Sequence, residues 1–308
     1  MKAVRIHSFG GPDVMKLEEV PTSAVAEDEV LIRVHGASVN PVDYKIREGK
    51  YFAVKAEQLP VVLGRDVAGK VEQRGARAQS WQRGDAVYAV VDRGRGGYAQ
   101  YVTVKADLCA RAPKNLSLIE AASVPLAGLT AWQGLFDHGQ LQQGQSVLIH
   151  GGAGGVGHLA IQFAKARGAH VTTTVSHRDI EFVRGLGADI VIDRTAQRFE
   201  ELLSDIDLVF DLIAGEVQKR SVQVLKRGGV LVSTLGKPDE SALKEREIRG
   251  VGYMAEPNGA QLTEITQLIE AGKVRPYVSA TFPLQDVARA HEVAVKEHPR
   301  GKVVLEVP

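Results

Sequence analysis

A glycine-rich turn between a strand-like run and a helical run is the feature that most constrains the fold of this 308-residue chain. The turn follows the apolar run at residues 146–150 and reads Gly152, Ala153, Gly154, Gly155, Val156 and Gly157. Apolar residues then recur on one helical face, at Val156, Leu159, Ala160, Phe163 and Ala164. This order predicts a βα unit whose turn binds the pyrophosphate of a dinucleotide at a helix N-terminus. The alternative is a turn in which glycine serves close packing alone.

Strand-like and helical runs alternate beyond residue 125. The strand-like runs are residues 147–150, 171–175, 190–192, 208–210 and 230–233. This alternation predicts βαβ units and a parallel sheet. Residues 1–120 instead carry short apolar runs separated by Gly, Pro and Asp, a pattern typical of a strand-rich, largely antiparallel domain. A helix near residues 284–295 and a strand at 302–307 end the chain, whose length suits about two domains.

Charge and cysteine content exclude several classes of protein. Lys and Arg number 38 against 37 Asp and Glu, so no overall positive field attracts nucleic acid or an anionic membrane. We expect no membrane span, because glycines interrupt the one long uncharged stretch. The N-terminus lacks the apolar run of a secretory signal, so we predict a cytoplasmic location. Cys109 is the single cysteine, so an intrachain disulfide and a Cys-rich zinc framework are excluded.

The end of the second parallel strand predicts which dinucleotide binds. An NAD site places Asp or Glu about 20 residues beyond the turn, on the ribose 2′-hydroxyl. This chain instead has Ser176, His177 and Arg178 there. A hydroxyl and a guanidinium suit a 2′-phosphate, so we predict NADP(H), with Arg194 after the third strand as a second cation. The alternative is that both arginines are ordinary solvated surface residues.

Several stretches together resemble the zinc-independent quinone oxidoreductases of the medium-chain dehydrogenase/reductase superfamily. Besides the glycine turn they are residues 40–49, 63–69, 97–102 and 121–132. The resemblance covers nearly the whole chain and implies an α/β protein in which a Rossmann doubly wound parallel sheet is inserted into a GroES-like, strand-rich catalytic domain. It assigns residues 1–122 and 260–308 to the catalytic domain and residues 123–259 to the NADP-binding domain. It also implies a homodimer.

The chain departs from the zinc-dependent relatives at their ligand positions. Those relatives carry an early cysteine ligand and a Gly-His-Glu triplet, whereas this chain has Gly64, Arg65 and Asp66 and places Cys109 elsewhere. We therefore expect no metal site. Reduction then depends on positioning the nicotinamide and on hydrogen-bond donors where negative charge develops. Quinones and α,β-unsaturated carbonyls suit this arrangement, because the charge moves to an oxygen atom that a few donors can stabilise.

Three residues of one motif are the predicted catalytic groups. Asn40 opens the Asn-Pro-Val-Asp motif of the family, Lys45 follows about one helical turn later, and Tyr44 is a candidate pocket residue. Related quinone reductases often place a Tyr near this lysine, and Lys45 resembles the lysine that faces the carbonyl oxygen in enone and alkenal reductases. The substrate class therefore stays open. Asn40 before Pro41 also suits a helix N-cap, Lys45 a solvated helix surface and Tyr44 a core edge.

The nicotinamide end of the cofactor site is predicted at four residues. By resemblance, Thr130 is the threonine that contacts this end, although it also suits a helix start. Leu212 follows the fourth strand, and Leu235 and Gly236 follow the fifth. Ligands of parallel sheets bind at the carboxyl ends of the strands, so we expect backbone contacts there.

A second class of function is an NADPH-binding sensor or an RNA-binding protein with little catalytic activity. Its support is the Arg-Gly-Arg-Gly-Gly sequence at residues 93–97, which resembles an RGG element. The same residues are typical of a hairpin loop, and the near-zero net charge argues against RNA. An enoyl reductase of a larger synthase is a third interpretation, but no stretch resembles a docking segment.

Overall fold

The computed structural model describes residues 1–308 and divides into two compact units. The first unit comprises Met1–Ala127, Pro257–Ala271 and Pro276–Pro308, and the second comprises Gly128–Glu256 and Gly272–Arg275. The family resemblance implies boundaries after residues 122 and 259. Each unit has its own sheets and is described by itself.

The first part of the first unit is rich in strands. Its strands are β1 (Lys2–Ile6), β2 (Met15–Glu19), β3 (Glu29–Ser38), β4 (Val61–Val62), β5 (Asp66–Arg74), β6 (Ala86–Val90), β7 (Tyr101–Lys105) and β8 (Cys109–Arg111). Its helices are α1 (Pro41–Arg47) and α2 (Leu118–Ala122). Helix α3 (Pro125–Trp132) then continues as a π-helical segment, Gln133–His138.

Strands and helices alternate through the second unit. Its strands are β9 (Ser146–His150), β10 (His170–Val175), β11 (Ile190–Asp193), β12 (Ile206–Asp211), β13 (Leu225–Ser233) and β14 (Arg249–Gly252). Its helices are α4 (Gly157–Ala166), α5 (Ile180–Gly185), α6 (Gly215–Ser221) and α7 (Glu240–Lys244). The chain then returns to the first unit with α8 (Gly259–Glu270), β15 (Val278–Pro283), α9 (Val287–Lys296) and β16 (Lys302–Glu306).

The sheets of the first unit are largely antiparallel, as predicted. Strand β1 pairs with β2 and β4 in a three-stranded sheet, and the larger sheet has the order β15-β16-β3-β5-β6-β8, with β7 also paired to β3. Only β15 and β16 are parallel neighbours there. Strand β3 has three partners and is almost entirely buried. Burying each of its large apolar side chains contributes about 1.5–3 kcal/mol, so β3 organises the core of this unit.

The second unit contains a six-stranded sheet in which all strands are parallel, in the order β11-β10-β9-β12-β13-β14. Counted from β9 this is 3-2-1-4-5-6, the order of a Rossmann fold. The predicted face of α4 is buried at Leu159, Ala160, Phe163 and Ala164. The predicted α/β fold class is therefore confirmed. None of the helices combines the length and apolar character needed to cross a bilayer.

Candidate active site and cofactor site

Helix α1 carries the predicted catalytic residues and begins after Asn40. Asn40 has extended backbone angles and occupies the predicted N-cap position, with Pro41 in the first helical turn, but its side chain makes no capping hydrogen bond. The backbone N–H of Asn40 donates to Oδ2 of Asp43 at 2.8 Å. A residue of the first turn therefore caps the helix, and the Asn40 side chain bonds elsewhere.

The side-chain amide of Asn40 is buried and bonded at both ends. Its Nδ2 donates to Oδ2 of Asp66 at 2.8 Å and to the carbonyl of Ser38 at 3.3 Å. Its Oδ1 accepts from Nζ of Lys302 at 2.5 Å. With 3% of the residue exposed, all hydrogen-bonding atoms of the amide face groups of the first unit.

Lys45 and Tyr44 are half-buried on the same helix. The ammonium of Lys45 has no hydrogen bond or ion pair, whereas the exposed Lys50 pairs with Glu48 at 2.8 Å. Burial raises the pKa of Tyr44, and the neighbouring carboxylates of Glu48 and Asp43 raise it further. The phenol of Tyr44 is therefore a hydrogen-bond donor at neutral pH, and Lys45 is a cation available to a ligand.

A chain of buried hydrogen bonds lies behind α1. Nη1 of Arg47 donates to Nδ1 of His291 at 3.3 Å, so the proton of this imidazole is assigned to Nε2, which donates to Tyr98 at 3.2 Å. The hydroxyl of Tyr98 then donates to Oδ2 of Asp43 at 3.1 Å. Burial lowers the pKa of His291 to about 3, so the ring is neutral. Arg47 and His291 also line a cavity of about 460 Å³ that Tyr44 and Lys45 do not reach.

Asp43 carries the most unusual carboxyl group of this region. It is fully buried, and its Oδ1 has no hydrogen-bond partner. Burial raises its pKa from 3.8 to about 7, and nearby Asp66 adds to the rise, against the opposing effects of the Asn40 N–H, Lys302 and Tyr98. A proton-binding group is thus built into the first turn of α1.

The glycine turn of the second unit uses its glycines in two different ways. A Cβ on Gly152 would lie 2.1 Å from Oγ1 of Thr173, and one on Gly157 would lie 2.3 Å from the carbonyl of Gly151, so both are required by internal packing. A Cβ on Gly154 would meet only the Gly151 carbonyl, at 3.5 Å. The backbone N–H groups of residues 155 and 156 have no protein acceptor. Open space beside free N–H groups at the start of α4 fits a pyrophosphate.

Polar side chains meet where β10 and β11 end. Nη2 of Arg194 donates to Oγ of Ser176 at 2.9 Å, so two predicted cofactor residues lie together. The side chains of His177 and Arg178 are 83% and 62% exposed, which leaves both accessible to a ligand. Two acids lie nearby: Asp179 pairs with Nε of Arg178 at 3.5 Å, and the carboxylate of Asp193 accepts from Thr195 and contacts His177. Hydroxyl, imidazole and two guanidinium groups fit a 2′-phosphate.

The loop after β12 is held by a buried carboxylate that the sequence analysis missed. Asp211 accepts the backbone N–H groups of Ile213 and Ala214, each at 2.9 Å, and also bonds Gln218 and Ser233. Ala214 has φ of +65° and ψ of −167°, a conformation that favours glycine. The two backbone hydrogen bonds hold this loop in its strained conformation.

Apolar side chains are exposed at the predicted nicotinamide end. Ile213 is 50% exposed and Leu235 is 43% exposed, although both are large and apolar. Leu212 is half-buried and Gly236 is exposed beside them in sequence. Thr130 is half-buried on α3, and its carbonyl accepts the hydroxyl of Tyr253, which follows β14. Exposed apolar surface at the carboxyl ends of β12 and β13 fits a nicotinamide ring.

The RGG-like segment has a structural explanation. Nη1 of Arg95 pairs with Glu29 at 2.8 Å and also bonds Thr103. A Cβ on Gly96 would lie 2.2 Å from the Val62 carbonyl. Close packing therefore requires glycine and engages this arginine, so the RNA-binding alternative is not favoured. Among the described residues, no three or more His, Cys, Asp or Glu side chains are grouped to hold a metal ion.

Several important residues escaped the sequence analysis because they lie far apart in the chain. Asp66 and Lys302 are separated by more than 230 residues yet contact the same asparagine. Tyr98 and His291 are 55 and 244 residues away in sequence from the α1 residues that they contact. The available sequence signal was Lys302 at the start of an apolar strand-like run. A lysine in such a strand is rarely buried without a partner, so its position pointed to an acidic or polar partner.

The family of the chain follows from comparison with known proteins. Residues 26–114 match the alcohol dehydrogenase GroES-like domain, and residues 186–305 match the family described as zinc-binding dehydrogenase. The chloroplastic NADPH-dependent alkenal/one oxidoreductase of Arabidopsis thaliana is 39% identical over 317 residues, which cover 99% of this chain and 79% of that protein. This similarity extends over both units.

Two solved structures are similar over the whole chain. The quinone oxidoreductase from Coxiella burnetii has a TM-score of 0.92 and 37% identity, covering 100% of this chain and 99% of that one. The Escherichia coli quinone oxidoreductase complexed with NADPH has a TM-score of 0.88 and 27% identity, covering 99% of this chain and 100% of that one. A Rossmann unit inserted in sequence into a GroES-like unit defines a medium-chain dehydrogenase/reductase. Within that superfamily, the chain belongs to the zinc-independent quinone oxidoreductase family, which confirms the resemblance.

Proposed function

We propose that the protein transfers hydride from NADPH to quinones or α,β-unsaturated carbonyl compounds, and that enones and alkenals are its better substrates. The observation that carries this proposal is the half-buried, unpartnered ammonium of Lys45 on α1. The 39% identical relative is named as an alkenal/one oxidoreductase, which supports the same substrate class. Quinones are the second candidate class, supported by the names of the Coxiella burnetii and Escherichia coli structures.

The proposed catalytic roles follow from the charge that develops during reduction. When bound, NADPH supplies the hydride, which adds to the β-carbon of the enone and moves an electron pair to the carbonyl oxygen. Lys45 donates to that oxygen as it becomes an enolate, and the phenol of Tyr44 is a second donor. A well-placed donor of this type contributes about 2.7–4 kcal/mol to transition-state stabilisation. A proton from solvent water then adds to the α-carbon and completes the reduction.

Asn40 takes an indirect part in this proposal. The sequence leaves open whether Asn40 or Lys45 is the main donor to the oxyanion. Both hydrogens of the Asn40 amide are directed at Asp66 and Ser38, whereas the ammonium of Lys45 has no partner. We therefore assign the main donor role to Lys45 and treat Asn40 as the residue that sets the start of α1.

The proposed cofactor contacts divide along the second unit. Residues 152–157 bind the pyrophosphate through backbone N–H groups. Ser176, Arg178 and Arg194 bind the 2′-phosphate, with His177 at its edge. The nicotinamide end contacts Thr130, Leu212, Leu235 and Gly236. The support is the open space at Gly154, the contact between Arg194 and Ser176, and the exposed apolar surface beside Leu235.

A homodimer and a cytoplasmic location are also proposals. Strand β14 is an edge strand with a single neighbour, β13, and an unpaired strand edge is a natural site for association. Light scattering of the purified protein tests the dimer. Cys109 is a buried free thiol, as in proteins of reducing compartments. Cell fractionation tests the location.

The proposed function is tested by NADPH oxidation with the chelator-treated protein. The acceptors are a benzoquinone, a naphthoquinone, short enones, an alkenal and a simple saturated aldehyde, and each assay is repeated with NADH. We expect faster turnover of enones and alkenals than of quinones, and no turnover of the saturated aldehyde. We also expect higher activity with NADPH than with NADH. Deuterated NADPH then tests direct hydride transfer, because the label appears on the β-carbon of the product. Tight NADPH binding without turnover of any conjugated acceptor would overturn the proposal.

A further inference from the structure

We infer that Lys302 and Asp66 are positioning residues for the donor helix, acting on Lys45 through Asn40. This inference rests on the proposed function. Lys302 is the first residue of β16, in the C-terminal segment, and it is 4% exposed. Its Nζ lies 2.5 Å from Oδ1 of Asn40, 2.9 Å from the carbonyl of Val39 and 3.7 Å from Oδ2 of Asp66. The two shorter contacts are with the N-cap residue of α1 and the residue before it.

Asp66 completes the arrangement from the opposite end of the amide. It is the first residue of β5 and is fully buried. Its Oδ2 accepts from Oγ of Ser38 at 2.5 Å and from Nδ2 of Asn40 at 2.8 Å. Its Oδ1 accepts the backbone N–H of Leu126, in the first turn of α3, at 2.7 Å. One carboxylate therefore ties the end of β3 and the start of α1 to the start of α3.

The chemistry of the three side chains gives the Asn40 amide a single orientation. An ammonium only donates hydrogen bonds and a carboxylate only accepts them. The amide must therefore turn its oxygen to Lys302 and its nitrogen to Asp66, as the structure shows. Turning the amide by 180° would set donor against donor and acceptor against acceptor. Lys302 and Asp66 therefore fix the orientation of Asn40, the residue from which α1 starts.

Stability alone is a poor explanation for this pair. Taking two charges out of water has a large cost, and apolar residues of similar volume are often equally or more stabilising. Lys302 also has no direct route to a substrate, because it is buried and its ammonium faces Asn40, Val39 and Asp66. Any effect on the reaction is therefore indirect, and its shortest contacts lead to the start of α1. A displacement of about 1 Å at a catalytic group can cost about 100-fold in rate.

The test compares three proteins. They are the wild type, the single variant Lys302→Met, and a double variant that carries both Lys302→Met and Asp66→Asn. Lys70→Met is the matched control, because Lys70 is an exposed lysine on β5. For Lys302→Met we expect kcat for an enone to fall at least 10-fold, while the Kd for NADPH stays within twofold. Its thermal midpoint should fall, because Asp66 is left as a buried, unpaired charge. The double variant should regain much of the thermal midpoint but not the lost kcat, and Lys70→Met should match wild type in both.

A double-mutant cycle with Lys45→Met separates positioning from general structural damage. If Lys302 acts through Lys45, the loss from Lys302→Met should shrink to about twofold when Lys45 is already methionine. Full additivity of the two losses would overturn the inference. Wild-type kcat in the double variant Lys302→Met with Asp66→Asn would also overturn it. Wild-type protein that reduces no conjugated acceptor would instead contradict the proposed function.

Discussion

The hydroxyl of Tyr98 donates to Oδ2 of Asp43 across 3.1 Å, and this bond joins the loop before β7 to the first turn of α1. Tyr98 is fully buried. Burial is the main cause that raises its pKa well above 10, and the charge of Asp43 is the second cause. Tyr98 therefore always presents a proton to Asp43. The other oxygen of Asp43 has no partner, so the ionised carboxylate is only partly compensated.

Replacement of Asp43 by Asn should change how stability depends on pH. The pKa of Asp43 is about 7 in the folded protein and 3.8 as a free group, so the folded state holds a proton that the unfolded state releases between these values. The contribution of Asp43 to stability is therefore largest below pH 4 and is lost as the pH rises to about 7. Asn has no proton to lose.

The free energy of unfolding of wild type should thus fall relative to Asp43→Asn by roughly 1.4 kcal/mol per pH unit from pH 5 to about pH 7, and stay level above that. Urea unfolding of both proteins at four values between pH 5 and pH 8 measures this difference. A difference that does not change with pH would show that Asp43 titrates in its ordinary range.

Replacement of Lys45 by Met should lower kcat for enones by about 100- to 1,000-fold, because the enolate loses a charged donor. The Kd for NADPH should stay within twofold. Lys50→Met is the matched control, since Lys50 lies just beyond the same helix, is exposed and already pairs with Glu48. Steady-state kinetics and fluorescence titration with NADPH measure the two quantities. Equal activity of both variants would remove Lys45 from the mechanism.

Replacement of Arg178 by Ala should weaken NADPH binding by about 10- to 100-fold, the loss expected for a charge-assisted hydrogen bond. NADH binding should change by less than twofold, because NADH has no 2′-phosphate. Arg184→Ala serves as the control, since Arg184 is exposed on α5 and pairs with Glu181 at 2.5 Å. Calorimetric titration of each variant with both cofactors gives the comparison. Parallel losses for the two cofactors would place Arg178 away from the phosphate.

Alanine substitutions in the glycine turn should separate packing from cofactor binding. Gly154→Ala meets no atom closer than 3.5 Å, so the thermal midpoint should stay near that of wild type while the Kd for NADPH rises at least 10-fold. Gly152→Ala places its methyl group 2.1 Å from Thr173, so it should lower the thermal midpoint. Thermal unfolding and NADPH titration of both variants test the distinction. Wild-type NADPH affinity in Gly154→Ala would show that the pyrophosphate does not use this space.

Local sequence patterns were enough to predict the fold class. The strands β9 to β13 and the apolar face of α4 lie where the alternation of runs predicts them, because the period of apolar residues reports which faces are buried. The N-cap position of Asn40 followed from its place before Pro41, whereas the partners of its side chain did not. The grouping of Ser176 with Arg194 followed because adjacent parallel strands end at the same edge of a sheet.

The tertiary structure decided what these residues touch. The sequence by itself determined two domain types, the glycine turn and the presence of Asn40, Tyr44 and Lys45 on one helix, since each of these depends on neighbours in the chain. That Lys302 and Asp66 hold the Asn40 amide, and that Lys45 stays unpartnered, depended on strands that are distant in sequence and paired only in the folded sheet. Hydrogen-bond partners over such separations leave no local periodic signal, so only the packed structure gives a reason to propose Lys45 over Asn40 as the donor.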